Sequence, residues 1–202
     1  MDLKKRALFL SYFTVIYNIL EGIISVAAGL FAGSISLIGF GFDSFVESLS
    51  GGVMIWRFSL GDKLSQEAEE KIERQAERFV AVTFFVLAAY VLYESVKKLV
   101  FHEVPEISLL GFAITILSLI IMPALYLVKR ETGKRLGSKS LIADSKETLA
   151  CCYLSAAVLI GLVFNAWLGW WWADPIVGLL IVYFLIKEGI EAWSGGCKCG
   201  DE

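Results

Sequence analysis

The sequence predicts an all-α membrane protein: a bundle of six transmembrane helices with both termini in the cytoplasm. Its composition is 57% hydrophobic and 19% charged, with a mean hydropathy of +0.68, which is typical of a polytopic membrane protein rather than a soluble domain. Apolar stretches long enough to cross a bilayer recur along the chain, separated by polar connections. Lysine and arginine are concentrated in alternate connections, which sets the expected orientation.

We interpret the chain as a single lipid-embedded domain, residues 1–202. The first apolar stretch is longer than the roughly 7–15 residues of a signal-peptide core, so we expect a permanent span. Only a short tail follows the last span, so we expect no soluble C-terminal domain. The predicted spans cover about residues 7–30, 34–56, 79–100, 109–128, 141–165 and 174–193.

The first two spans are expected to meet at a tight hairpin. The first holds Asn18 and Glu21, polar groups that must face protein or water rather than lipid. Gly29 and Gly33 are spaced for close helix packing, although we favour the interpretation that glycine simply makes the turn. The charged run GDKLSQEAEEKIERQAER follows the second span, and we interpret it as a water-exposed extension of the third helix rather than an ion-collecting patch.

The later spans carry their own local signals. Pro123 is expected to kink the fourth span, and the polar connection KRETGKRLGSK leads into the fifth. Trp167 and residues 170–172 are typical of an interfacial aromatic belt before the sixth span. Asp174, directly before a proline, is expected to be the N-cap of that span.

Orientation follows from the basic residues in the connections. With the N-terminus in the cytoplasm, the inside connections hold most of the lysine and arginine residues, including those of KRETGKRLGSK. The outside connections hold Lys97 and Lys98. Because basic residues stay on the cytoplasmic side, both termini are predicted to be cytoplasmic.

Two acids in the middle of the second span point to function. Asp43 and Glu47 lie one helical turn apart, and a charged group at the centre of a span costs about 2.5–3.5 kcal/mol or more, so such acids usually mark an ion pathway or a binding site. The motif GSISLI that precedes them recurs as GSKSLI before the fifth span. The repeat aligns Asp43 with Glu147 and Glu47 with Cys151, so each helix offers two cation ligands on one face.

The two copies of the motif are antiparallel in the predicted topology. Inverted repeats with a polar site near the midplane are a sequence pointer to secondary transporters. Counting the helical rise from the cytoplasmic ends predicts that Asp43 meets Cys151 and that Glu47 meets Glu147. Asp144, one turn before Glu147 on the same face, is a further candidate for cation access or proton relay.

Each of these residues also has a purely structural interpretation. Asp43 and Glu47 could hydrogen-bond within the bundle, although the cost of burial favours an ion site. Glu147 could be neutralised by the adjacent Lys146. Buried cysteine is commonly just a small packing residue, which is the alternative for Cys151. Structural roles are favoured for the following residues: Cys152 as packing, and Glu21, Glu94 and Asp174 as bundle or helix-end groups.

The C-terminal tail GGCKCGDE offers a second, weaker candidate. Cys197 and Cys199 supply two thiolates at C-x-C spacing, which could capture a soft metal at the cytoplasmic mouth. Two cysteines make only half of a usual zinc site, so a flexible terminal tail is the competing interpretation.

Several segments resemble a known family. NILEGIISVAAGLFAGSISLIGFGFDSFVE resembles spans one and two of the cation diffusion facilitator (cation efflux) family, and SKSLIADSKETLACCYLSAAVLI resembles span five. WWADPIVGLL is similar to the start of its sixth span, so the resemblance covers most of the chain. The segments FGFDSFVESLSGG and MPALYLVKR are closest to a short subgroup known only as cation transporters.

The resemblance implies a dimeric six-span exporter that exchanges Zn(II) or a related divalent ion for protons. The family uses four ligands, two each from the second and fifth spans, and its pattern falls on Asp43, Glu47, Glu147 and Cys151. The chain departs from the family in having no histidine at the site, and we expect it to depart also in having no soluble C-terminal domain. A cysteine in that set still suits tetrahedral Zn(II) and is softer than an all-oxygen site.

The expected function is therefore a Zn(II)/H⁺ antiporter of the cell membrane, with Cd, Co, Fe and Mn as further candidate ions. Its partners would be the metal ion, protons, the bilayer and a second copy of the chain, with no resident cofactor. The net charge of -3 gives no reason to expect a nucleic-acid partner, and the sequence shows no nucleophile with its base, so we expect no enzyme activity. Two alternatives stay open: a non-transporting metal-binding or regulatory membrane protein, and a purely structural bundle.

Overall fold

The computed structural model describes residues 3–60 and 66–194, and all regular structure in those ranges is helical. The bounds are Leu3–Ala32 for α1, Ile35–Leu60 for α2, Gln66–Phe101 for α3, Leu109–Leu136 for α4, Lys139–Leu168 for α5 and Ala173–Trp193 for α6.

The α1–α2 hairpin confirms both interpretations of its glycines. Gly33 has a φ of 62°, a left-handed conformation that favours glycine, and it makes the turn. Gly29 packs closely as well, because a Cβ there would lie 2.8 Å from the backbone nitrogen of Ile38. Further along the same interface a Cβ on Gly22 would lie 2.9 Å from the carbonyl oxygen of Gly41. Small residues therefore let the two backbones approach along much of their length.

The sequence predicts that Asp174 is the N-cap of its own helix, but in the structure it does not cap that helix. It lies inside the first turn of α6, and its carboxylate accepts hydrogen bonds from the start of α2 instead. The backbone N–H of Ile35 donates to Oδ2 over 2.9 Å, and the hydroxyls of Ser34 and Ser36 donate to Oδ1. This long-range cap satisfies buried donors that α2 itself cannot satisfy, and it ties α2 to α6.

α4 is longer than the predicted fourth span. It continues through Pro123 as far as Leu136, so most of the expected polar connection is helical. The α4–α5 junction then consists of Gly137, with a φ of 64°, and Ser138, whose hydroxyl accepts from the backbone N–H of Leu141. One consequence is that Lys129, counted from sequence among the cytoplasmic loop charges, lies within a helix and is fully buried.

The helices pack mainly as three pairs, α1 with α2, α3 with α6, and α4 with α5, and α2 also contacts α3, α5 and α6. α2 is therefore the central element of the bundle. Its inner face joins α5 and α6 in a continuous apolar core, whose largest fully buried members include Leu37, Phe40, Leu154, Ile181 and Leu185.

The outer surface of the bundle is apolar. Many large hydrophobic side chains are exposed, among them Ile16, Leu20 and Phe31 of α1, as expected for helices that face lipid. Within the described residues, three helical segments are long and apolar enough to cross a membrane: Leu3–Ala32, Leu109–Leu136 and Asp144–Leu168. The chain is a multi-pass membrane protein, while the six-span topology and the cytoplasmic termini stay predictions.

Candidate metal site

A small cleft of about 30 Å³ lies where α2, α5 and α6 meet, with Phe84 of α3 on its wall. It is large enough for one or two water molecules or one partly dehydrated ion. Four carboxylates line it: Asp43 and Glu47 from α2, Glu147 from α5 and Glu188 from α6. The rest of the wall is largely apolar, so a cation would find its oxygen ligands concentrated at one place in a surface of low polarity.

Glu47 is the most buried of the four acids, with 6% of its surface exposed. Its Oε1 accepts a hydrogen bond of 2.7 Å from the hydroxyl of Thr148 on α5. Its Oε2 is buried and has no hydrogen-bond partner. A carboxylate oxygen buried without a partner is costly, and a bound cation is one way to satisfy it.

Glu147 shows the same feature. Its Oε2 is also buried without a hydrogen-bond partner, and the Ser50 side chain of α2 lies beside the carboxylate. The adjacent Lys146, which the sequence had offered as a neutralising charge, is exposed. Glu147 therefore faces the same cleft as Asp43 and Glu47, across the α2–α5 interface.

Cys151 lies next to the cleft acids but belongs to the apolar core. Only 1% of its surface is exposed, and it packs in the same cluster as Val46 and Leu154. Its thiol lies beside the carboxylate of Glu47, one turn of α5 beyond Glu147. Cys152 is half-buried and packs against the core from another face of α5. The two cysteines thus have different surroundings, as their spacing predicted.

Asp144 is held by a buried ion pair outside the cleft lining. Its Oδ2 lies 2.8 Å from Nζ of Lys129 on α4, and both side chains are almost completely buried. The same ammonium group donates a 2.9 Å hydrogen bond to Thr148, whose hydroxyl contacts Glu47. Asp144 therefore lies outside the cleft lining, and its carboxylate forms an ion pair with Lys129.

The acids interpreted as structural are hydrogen-bonded or paired. Glu21 is 1% exposed and accepts hydrogen bonds from Tyr17 over 3.0 Å and from Ser44 over 2.9 Å. Glu94 pairs with Lys97 at 3.4 Å near the end of α3. These contacts agree with roles in the bundle and at a helix end.

The four acids line the same cleft, but their carboxylate groups do not converge on one point. Among the described residues, no three side chains of histidine, cysteine, aspartate or glutamate are arranged closely enough to hold a metal ion. The tail cysteines, Cys197 and Cys199, lie outside the described residues. The candidate site is thus an open group of carboxylates rather than a closed coordination shell.

Sequence reasoning missed three residues that belong to this region. Glu188 carries the same signal as Asp43, an acid in an apolar segment, but it lies near the end of the sixth span, where charged side chains are common. Lys129 was hidden because it stands beside Arg130 and looked like part of a loop. Thr148 gave no signal, since a threonine in an apolar helix is common and its partners depend on tertiary packing.

Carboxylates around one cleft in an apolar helical bundle are typical of membrane proteins that have an ion pathway or a binding site within their transmembrane region. The comparison with known families makes this specific. The chain belongs to the cation efflux family, because the model of the cation efflux transmembrane domain matches residues 11–194.

Individual relatives are similar over most of this chain. Transmembrane protein 163 of Xenopus laevis is 25% identical over 189 residues, which cover 93% of this chain and 66% of the relative. Cation-efflux pump FieF of Shewanella oneidensis is 25% identical, covering 83% of this chain and 58% of the pump. The cadmium, cobalt and zinc/H⁺-K⁺ antiporter of Bacillus subtilis is 19% identical, covering 92% and 60%. The chain thus spans less than two thirds of the length of these relatives.

Proposed function

We propose that this chain binds a divalent metal ion in the cleft and exports it from the cytoplasm in exchange for protons. One observation carries the proposal: Glu47 and Glu147, on facing helices, each present a buried carboxylate oxygen without a hydrogen-bond partner beside the same cleft. Asp43 supplies a third carboxylate one turn along α2. Membership of the cation efflux family and the activities given in the names of two relatives support the same class of cargo.

Zn(II) is the proposed ion, and Cys151 is the residue that favours it. Three carboxylates and one thiolate form a mixed set that suits tetrahedral Zn(II) or Cd(II) better than Mn(II). The thiol lies beside Glu47, so a small movement of α5 against α2 would bring it into the same coordination shell. Cadmium, cobalt and zinc all stand in the name of the Bacillus relative.

Glu188 is proposed to widen the ligand set at the mouth of the cleft. It is half-buried on α6, a helix that supplies no ligand in the pattern inferred from sequence. A carboxylate at this point can hold a partly hydrated ion before the ion reaches Glu47 and Glu147. An ion held at Glu188 would be bound by oxygen ligands alone. Such binding would be less selective for soft metals than the set that includes Cys151.

Coupling to protons follows from competition for the same atoms. A carboxylate or thiol must lose its proton to ligate a metal, so metal binding releases protons and protonation releases the metal. If the bundle alternates between inward-open and outward-open arrangements, this competition makes the two fluxes opposite in direction. Export and a dimeric assembly are parts of the proposal that come from the family resemblance.

The test is metal flux into proteoliposomes, measured for Zn(II) with and without an imposed proton gradient. Wild-type protein is expected to move Zn(II) and to depend on the gradient, whereas Glu47→Gln should lose most of the flux. Glu94→Gln is the matched control, since it makes the same change at an acid that pairs with Lys97 away from the cleft. Metal binding without flux would favour the non-transporting alternative, and an active Glu47→Gln variant would contradict the site.

A further inference from the structure

Lys129 is a fully buried cation on α4, a helix that contributes nothing to the lining of the cleft. Its Nζ lies 2.8 Å from Oδ2 of Asp144 and 2.9 Å from Oγ1 of Thr148, both on α5. A buried ion pair is expensive to desolvate, and well-packed apolar side chains can often replace it without loss of stability. A charge kept inside an apolar bundle, next to a candidate cation site, therefore needs a reason beyond stability.

The hydrogen bonds between Lys129 and the cleft have a defined direction. An ammonium group has no acceptor, so Lys129 must donate to Thr148. The threonine hydroxyl has one proton and two acceptors within reach, Oε1 of Glu47 at 2.7 Å and the carbonyl oxygen of Asp144 at 3.1 Å. The shorter, charge-assisted contact is the one to Glu47. Lys129 therefore polarises Thr148, and Thr148 holds Oε1 of Glu47.

This arrangement leaves Glu47 with one oxygen engaged and one free. Oε1 is fixed by Thr148, while Oε2 is buried beside the cleft without a partner. The carboxylate cannot rotate without giving up the bond to Thr148. The position of its free oxygen thus depends on a side chain of α5, and through it on a side chain of α4.

We propose that Lys129 is a positioning residue of the metal site, acting through Thr148 to orient Glu47 toward the cation. This inference rests on the proposed function. Its ion pair with Asp144 keeps the ammonium group in place, so that the lysine charge is balanced behind the site and does not occupy it. Because Lys129 lies on α4, displacement of α4 against α5 would change the orientation of Glu47, which links helix movement to metal affinity.

The sharpest test removes the hydroxyl and leaves the ion pair intact. Thr148→Val keeps the shape of the side chain, and zinc affinity of the purified full chain should fall about 10–100-fold, as for other partners that orient a metal ligand. Thr148→Ser restores the hydroxyl and should restore the affinity. Thr115→Val is the matched control, because Thr115 is equally buried and its hydroxyl bonds only to backbone carbonyls of α4.

A structural role predicts a different pattern. In that case Thr148→Val binds zinc as tightly as wild type. Alternatively, both Thr148→Val and Thr115→Val lower the melting temperature, and both lose zinc affinity to the same extent. Either result would overturn the proposal. If wild-type protein itself binds no zinc, the proposed function fails, and that outcome is separate from a variant that binds normally.

The charge itself is tested with a neutral replacement. Lys129→Met combined with Asp144→Asn removes both charges, so the variant keeps no buried uncompensated ion. We expect the double variant to fold and to bind zinc less tightly than wild type, with a smaller loss than that of Thr148→Val because the hydroxyl of Thr148 can still donate to Glu47. Wild-type affinity in the double variant would contradict a role for Lys129.

Discussion

Asp174→Asn tests the long-range cap that joins α6 to α2. In the native protein Oδ2 accepts from the backbone N–H of Ile35 over 2.9 Å, and Oδ1 accepts from the hydroxyls of Ser34 and Ser36. Asparagine has the same shape but only one acceptor oxygen. Its NH₂ group would replace one of the two carboxylate oxygens and leave at least one buried donor at the start of α2 without an acceptor.

The cost can be worked out from these contacts. A buried donor left unsatisfied costs about 1–3 kcal/mol. Loss of the negative charge at the N-terminus of α2 adds roughly 0.3–1 kcal/mol. The sum, about 1.3–4 kcal/mol, corresponds to a melting temperature lower by about 3 °C or more for a chain of this size.

The assay is thermal unfolding in detergent, followed by the fluorescence of the native tryptophans. Glu103→Gln is the control, since it makes the same chemical change at an exposed acid that contacts Lys97 at 3.8 Å, and it should unfold at the wild-type temperature. If Asp174→Asn melts with the control, the carboxylate does not cap α2, and the reasoning about this junction is refuted.

Three further variants test the region of the cleft. Cys151→Ser should weaken Cd(II) binding much more than Mn(II) binding. Cys152→Ser makes the same change on another face of α5 and should affect neither metal. If the two variants bind cadmium with equal affinity, the thiolate of Cys151 is not a ligand. Glu188→Gln should lower the zinc transport rate at low metal concentration and approach the wild-type rate at saturation, whereas an unchanged rate at all concentrations would exclude a capture role. Lys129→Met alone should lower stability by about 3–5 kcal/mol, because it leaves Asp144 buried and unpaired. In thermal unfolding, the double variant Lys129→Met with Asp144→Asn should recover most of that loss. A double variant that recovers none of it would argue against the ion pair.

The helices and the cleft acids could be predicted from sequence because their signals are local. Apolar runs, glycine turns and acids in apolar segments each depend on the chain nearby. Thus the sequence predicts Asp43, Glu47 and Glu147 as site residues, and the structure brings all three to one cleft. The predicted roles of Gly29 and Gly33 were confirmed for the same reason.

The partners of these residues could not be predicted, because they depend on how the helices shift and rotate against each other. Counting helical rise predicts that Glu47 meets Glu147, and both do line the cleft, but it does not predict that Glu47 hydrogen-bonds to Thr148 or that the thiol of Cys151 lies beside it. One residue along a helix rotates a side chain by about 100°, so small errors in depth exchange neighbours. Asp174 is a second example. Its local sequence predicts a cap of α6, whereas its carboxylate oxygens accept hydrogen bonds from the start of α2.

Proton release on metal binding tests the central claim most directly, because the claim requires the cleft carboxylates to exchange protons for a cation. Zn(II) is added to purified protein in weak buffer, with Cys197 and Cys199 replaced by serine in every sample so that the tail thiols do not contribute. We expect saturable proton release that disappears when Asp43→Asn and Glu47→Gln are combined. Release of the same size from that double variant would show that the metal binds elsewhere.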